Sequence, residues 1–188
     1  MKTYATFLVI VCLALLPITM QAQRYLPGQV GIQVTGGMVN GDYQFSDWQV
    51  GAGFSKYTKN GNRWLYAVEY LNSTYSYKNI TIPVNQMSAE AGYYINVLSD
   101  RRKTFFLSTG LSAMTGYETV NWGSKSLSDG SVITNRDRFI YGGILSLELE
   151  TYLTDRVALL LNVRESIIWG SDTGRFHNKI GIGIKYIL

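Results

Sequence analysis

The sequence predicts an all-β fold, a single antiparallel up-and-down β-barrel of about eight strands of the outer-membrane type. Three observations carry this. Segment after segment alternates large apolar residues with small or polar ones at a period of two, which marks strands rather than helices. The composition joins 19 glycines and 13% aromatics to only 3 prolines, which suits many short strands joined by tight turns. The first 22 residues read as an export signal, and no later apolar run is long enough for a membrane helix, so a membrane location requires a closed barrel.

The export signal has Lys2 near its start, an apolar run from Phe7 to Leu16, then Pro17 and a small residue at Ala22 before Gln23. That is the pattern of a cleaved secretory signal peptide over residues 1–22, and its apolar run is shorter than the ~20 residues a helical span needs. Residues 23–188 are then the barrel domain. The only cysteine, Cys12, leaves with the signal, so the mature chain is expected to have no disulfide and no Cys-based metal site. The net charge of +4 falls by one with Lys2, and the remaining charges of both signs are interspersed. No basic stripe tracks a phosphate backbone, so direct nucleic acid binding is not expected.

Residues 29–39 form the first expected strand, with Val30, Ile32 and Val34 facing one way and Gln33 and Thr35 the other; Asn40-Gly41-Asp42 ends it. The second, 47–57, sets Trp48, Val50, Ala52 and Phe54 against Gln49, Gly51, Gly53 and Ser55. Lys59-Asn60-Gly61-Asn62 follows as a type I′ hairpin turn, because Asn-Gly tolerates the positive φ such turns demand. The third strand, 63–75, sets Trp64, Tyr66, Val68 and Tyr70 against Ala67, Glu69 and Ser73. After a loop around Tyr77-Lys78-Asn79, the fourth, 82–97, sets Met87, Ala89, Ala91, Tyr93 and Ile95 against Gln86, Ser88, Glu90, Gly92 and Asn96.

Ser99-Asp100-Arg101-Arg102 is another tight polar turn before the fifth strand, 103–117, where Phe105, Leu107, Leu111 and Ala113 oppose Ser108, Gly110, Ser112 and Gly116. Residues 118–135 lack a clean period and are expected to be the longest loop, the natural place for chain-specific contacts. The sixth strand, 138–153, sets Phe139, Tyr141, Leu145, Leu147 and Leu149 against Ser146, Glu148 and Glu150. Leu153-Thr154-Asp155-Arg156 turns the chain into the seventh, 157–169, where Leu159, Leu161, Val163 and Ile167 face away from Asn162, Arg164 and Ser166. Here Leu160 falls on the polar face and Glu165 on the apolar one, so either a bulge shifts the register near Glu165 or that residue sits at the membrane rim. The last ten residues, 179–188, alternate strictly, with Ile180, Ile182, Ile184, Tyr186 and Leu188 opposite Lys179, Gly181, Gly183 and Lys185. Tight connections are expected after strands two, four and six and longer ones after one, three, five and seven, the asymmetry of an outer-membrane barrel.

With the apolar faces outward, Trp48, Trp64, Tyr66, Tyr70, Tyr93, Tyr141, Trp169 and Tyr186 are candidates for interfacial aromatic girdles. Glu69, Glu90, Glu148, Glu150, Asn162, Arg164, Lys179 and Lys185 then point inward. Eight strands enclose just enough room for side chains, so an ion-paired plug is expected, with Arg164 and Lys185 neutralising carboxylates, because unpaired buried charges cost several kcal/mol. His177, near Ser171 and Asp172, is the one candidate base for an outer-membrane acyltransferase or protease, but no nucleophile elbow precedes it. Gly123-Ser124-Lys125-Ser126 lacks the upstream glycine of a phosphate loop, and no metal or cofactor motif appears.

Several segments carry a family resemblance: Leu26-Pro27-Gly28 through Gly36-Gly37-Met38-Val39-Asn40-Gly41, Tyr57-Thr58-Lys59-Asn60-Gly61, Gly116-Tyr117-Glu118, Asn121-Trp122-Gly123, Asn135-Arg136-Asp137-Arg138-Phe139-Ile140-Tyr141-Gly142-Gly143 and Tyr152-Leu153-Thr154-Asp155-Arg156. In order, and over essentially the whole mature chain, they resemble the TraO family of Bacteroidetes-type conjugative transposons. The resemblance implies an envelope component that works among other conjugal transfer proteins and brings no catalytic residues. An OmpA- or OmpX-like barrel architecture does not by itself decide function. The expected role is an anchor, scaffold or cell-contact element, with Tyr117, Trp122, Lys125, Asp129 and Arg136 of the long loop as partner contacts and outer-membrane lipid around the wall. The alternatives are an enzyme using His177 and a general OmpX-like envelope barrel unrelated to conjugation.

Overall fold

The computed structural model describes residues 27–39, 47–77, 80–123, 137–171 and 175–188. The expected signal peptide lies outside them, as do Lys125, Asp129, Arg136 and Asp172. The alternating segments form β1 (Val30–Val39), β2 (Trp48–Tyr57), β3 (Arg63–Tyr77), β4 (Ile80–Ser99), β5 (Phe105–Val120), β6 (Arg138–Tyr152), β7 (Val157–Trp169) and β8 (Phe176–Ile187). Each strand pairs antiparallel with the next, and β8 pairs with β1 to close the barrel. From mid-strand Val34, successive partners are Ala52, Val68, Ala89, Thr115, Tyr141 and Trp169, the last at the loop end of β7. This climb is the stagger and strand tilt that closure of a sheet demands.

The period-two pattern sends its large apolar members outward. Ile180, Ile182, Ile184 and Tyr186 of β8 are exposed while His177, Lys179 and Lys185 between them are buried. The same inversion of a soluble protein repeats on the other strands: Val34, Val50, Val68, Met87, Leu111, Leu145 and Val163 are exposed, and Glu69, Glu90, Glu148 and Arg164 are not. Water would not tolerate so continuous an apolar wall, whereas a bilayer matches it.

Inside, apolar clusters occupy both ends of the lumen. Tyr57, Phe106, Tyr152, Ala158 and Ile187 pack at the tight-turn end, and Met114, Ile140, Ile144 and Ile168 in the loop half. Leu160 is fully buried on the inward face of β7, so its place among polar neighbours is a lumen-packing position. The ladders on both sides of β7 run unbroken, with Glu165 opposite Leu145 and Asn178. Of the two alternatives at Glu165, the bulge is therefore absent, and Glu165 keeps an outward position. The irregularity lies instead in β4, where the register against β5 shifts between Asn96 and Leu98 and leaves both Val97 and Leu98 exposed.

Two loop expectations need correction. The strand β5 continues through Glu118 to Val120 and ends in a turn at Asn121–Gly123, in which Asn121 and Trp122 take positive φ. The connection after β3 is only two residues long. There β3 and β4 stay paired to Tyr77↔Ile80, beyond the last β2 partner of β3 at Asn72 and the last β5 partner of β4 at Val84, so they project as a hairpin.

The tight turns follow their local chemistry. Asn60 and Gly61 take φ of 63° and 84°, and the Asn62 N–H donates to the Lys59 carbonyl at 3.3 Å. After β4, the Asp100 carboxylate accepts N–H bonds from Thr104 at 2.6 Å, Phe105 at 3.0 Å and Arg102 at 3.2 Å. Slight burial pushes this carboxyl up, but the three donors outweigh it and hold it below its ordinary value. The turn is therefore stabilised above the unfolded pKa of about 3.9 and loosens as pH falls through the depressed folded value. NMR titration in micelles should give an Asp100 midpoint below 3.9; a midpoint at or above it would contradict the donor geometry.

Candidate functional site

The lumen concentrates the chain's buried charge. Five strands with inward parity deliver the parts: Arg63 and Glu69 from β3, Glu90 from β4, Glu148 and Glu150 from β6, Arg164 from β7, Lys179 and Lys185 from β8. They sort into two storeys.

The storey nearer the tight turns is built on Glu148 and Glu150. Arg63 pairs with Glu148 and lies 3.5 Å from Glu150, while its other terminal nitrogen also donates to Ser108 Oγ at 3.2 Å. Lys185 Nζ donates to Glu150 at 2.7 Å and to the Tyr57 hydroxyl at 3.1 Å, and lies 3.6 Å from Glu148. The Tyr57 hydroxyl in turn donates to Glu150 at 2.6 Å. The Arg63 guanidinium sits 4.7 Å from the ring centre of Tyr94, an aromatic face that further stabilises the buried cation.

The second storey is built on Arg164, which donates to Glu69 at 2.7 Å and pairs with Glu90, while Lys179 pairs with Glu69 from the other side. The Gln49 amide nitrogen, turned toward Glu69, lies 3.1 Å from both carboxylate oxygens. Between the storeys, Gln33, Glu69, Glu90, Glu148, Asn162 and Arg164 border a cavity of about 10 Å³, the room for roughly one water. Cations and carboxylates match one for one across the two storeys, with Arg63, Arg164, Lys179 and Lys185 facing Glu69, Glu90, Glu148 and Glu150. Such an arrangement rigidifies a wall and fills its lumen.

The structure thus brings together all six residues expected in the interior network, Glu69, Glu90, Glu148, Glu150, Arg164 and Lys185. It adds Arg63, Tyr57 and Glu118. Arg63 is the first residue of the expected third strand, directly after the turn, and the parity of Glu69 extended back along the strand reaches it. Glu118, assigned from sequence to the long loop, is fully buried on the inward face of β5 and accepts bonds from Gln86 Nε2 and Ser171 Oγ, both at 2.7 Å. His177 is also inward and buried, opposite Ser166 on β7, and not on an external rim. Among the described residues no three His, Cys, Asp or Glu side chains come together as a metal site.

The aromatic residues singled out for girdles lie on the outer wall. Trp64 and Tyr93 face each other across β3 and β4 with ring centres 4.9 Å apart, Trp48 lies 5.6 Å from Tyr70, and Tyr141 stacks on Trp169 at 6.2 Å. Tyr66 and Tyr186 are exposed on the same wall, and Arg156 from the adjacent turn donates to the Tyr186 hydroxyl at 3.4 Å. Of the expected partner-contact residues, Tyr117 and Trp122 are exposed at the loop end.

Comparison with known proteins adds three findings. The family model described as conjugative transposon protein TraO matches residues 26–188. No curated protein matches the sequence. Among solved structures, the chain is similar to the N-terminal β-barrel domain of Pseudomonas aeruginosa OprF, at 12% identity and a TM-score of 0.52, over 86% of this chain and 98% of that one. It is also similar to Ail, the attachment invasion locus protein of Yersinia pestis, solved in complex with the heparin analogue sucrose octasulfate, at 12% identity and a TM-score of 0.54, over 85% of this chain and 97% of that one. At such identities the likeness shows the fold, a small outer-membrane-type barrel.

Proposed function

Because the chain belongs to the TraO family of conjugative transposon proteins, we propose that it is an outer-membrane component of a conjugative transfer apparatus, a non-catalytic anchor, scaffold or cell-contact element. The observation that carries this reading is the filled lumen. Side chains paired in two charged storeys, with apolar clusters toward either end, suit a rigid post rather than a conduit. The wall is apolar and suits lipid, which leaves the loop end as the polar surface for other transfer proteins. The buried, inward His177 does not favour the enzyme alternative, and Ser171 spends its hydroxyl proton on Glu118.

Deleting residues 124–135 leaves every described strand intact and removes most of the connection between β5 and β6. The shortened barrel should still fold, shown by heat-modifiable migration, while transfer frequency from donors carrying it falls at least about tenfold. A folded, membrane-located deletion variant that supports normal transfer overturns the loop-contact role.

A further inference from the structure

We infer that the wall around Glu165 and Asn178 is a lateral docking site for a second membrane-embedded protein that brings a lysine or arginine to Glu165; this rests on the transfer-apparatus reading above. Glu165 and Asn178 are direct cross-strand neighbours on β7 and β8, both on the outward face. Neither side chain has a partner among the described residues. Around them the wall is made of exposed Leu145, Val163, Ile167, Phe176 and Ile180. The ladder runs through Glu165 without a shift, so nothing in the backbone turns this carboxylate into the lumen, where the other strand glutamates, Glu69, Glu90, Glu118, Glu148 and Glu150, are held.

Depth decides what meets it. Glu165 precedes the rim residue Trp169 by four positions on β7. At a rise of ~3.3 Å per residue and a strand tilt of about 40°, it lies about 10 Å toward the bilayer centre from that ring. A glutamate is too short to snorkel that far to the headgroups, unlike lysine or arginine, so lipid amines and cations at the surface do not reach it. An ionisable group held at membrane depth marks a partner or pathway, and this one faces away from the lumen.

A second copy of this chain does not fit. Two copies share one orientation in the membrane, so a twofold pair through this wall brings Glu165 against Glu165. The exposed basic residues of the described chain lie elsewhere: in the tight turns, at Lys56 beside them, and at Arg138 and Arg175 on the loop rim. Charge complementarity therefore calls for a different protein, one that presents a basic side chain within an apolar surface. Asn178 beside Glu165 adds a carboxamide able both to donate to and accept from that partner.

The test places a photo-crosslinking amino acid at Val163 or Ile180 in the full chain, in cells carrying the whole transfer region, with Val50 on another part of the wall as control. The expected product at 163 or 180, absent at 50, joins the barrel to a protein encoded in the same region, and peptide mapping puts a Lys or Arg in the joined segment. Glu165→Gln should reduce that product at least about fivefold without altering heat-modifiable migration, and removing the mapped basic residue should do the same. Crosslinks only to lipid, only to a second copy of this chain, or undiminished by Glu165→Gln overturn the inference. Transfer frequency of a full gene deletion is measured in parallel. Loss of transfer with no crosslink sinks the docking site alone, whereas unchanged transfer sinks the apparatus reading itself.

Discussion

Replacing Glu150 by leucine is expected to destabilise the folded barrel by about 3–5 kcal/mol, the cost of breaking a buried ion pair by removing one partner. Glu150 accepts from Lys185 at 2.7 Å and from the Tyr57 hydroxyl at 2.6 Å, and lies 3.5 Å from Arg63. Its loss leaves two cations competing for Glu148, in a lumen that is 1% exposed or less at Arg63 and Lys185. The sign reverses in part when a cation leaves too. Glu150→Leu with Lys185→Met restores the one-to-one balance and substitutes apolar volume beside Phe106 and Tyr152, so the double variant should recover a large part of the loss. Urea-dependent unfolding from lipid vesicles, read by heat-modifiable migration, measures both. A single-variant cost below about 1 kcal/mol, or a double variant worse than the sum of the singles, contradicts a network that works as a coupled plug.

How much of this was legible in the sequence follows from what a period of two can express. Inward and outward assignments came through in full on β8, because Lys179, Gly181, Gly183 and Lys185 differ sharply in size and charge from the isoleucines between them. Glu69, Glu90, Glu148, Glu150 and Arg164 follow from the same parity. What parity does not carry is where a strand stops. Glu118 lies just past the expected end of the fifth strand at residue 117, where the polar Thr119 and Asn121 look like turn sequence, while Arg63 opens the expected third strand with no inward residue before it to mark its side; neither was expected in the lumen. The longer connection expected after the third strand rests on the loop-like composition around Tyr77-Lys78-Asn79, although cross-strand pairing holds Ser76 and Tyr77 in a ladder against Thr81 and Ile80. Leu160 and Glu165 broke the pattern for separate reasons and not from one shared register slip. The first packs in a lumen that has its own apolar layers, and the second lies on the outer wall. Which carboxylate meets which cation was not legible at all, since β3, β6 and β8 are brought face to face across the lumen by closure and stagger rather than by adjacency in the chain.

Ile182→Arg on the outward face should cost about 2–4 kcal/mol, the penalty of an arginine near the bilayer midplane of a barrel. Ile182 lies mid-strand on β8, opposite Gly36 on β1 and Leu161 on β7, and is 62% exposed. On a wall that met water, an exposed isoleucine replaced by arginine would change stability by no more than about 0.5 kcal/mol. The two environments therefore predict outcomes several-fold apart for one substitution at a position that touches no part of the charged lumen. The same β8 already carries Lys179 and Lys185, which are tolerated because Glu69 and Glu150 meet them inside; turning a cation outward removes every such partner. The measurement is folding into vesicles against urea, with Ile182→Val as the control for lost packing. A large cost for arginine and a small one for valine assign the wall to lipid. A near-zero cost for arginine would place the wall in water and reverse the meaning of every outward residue on it, Glu165 included.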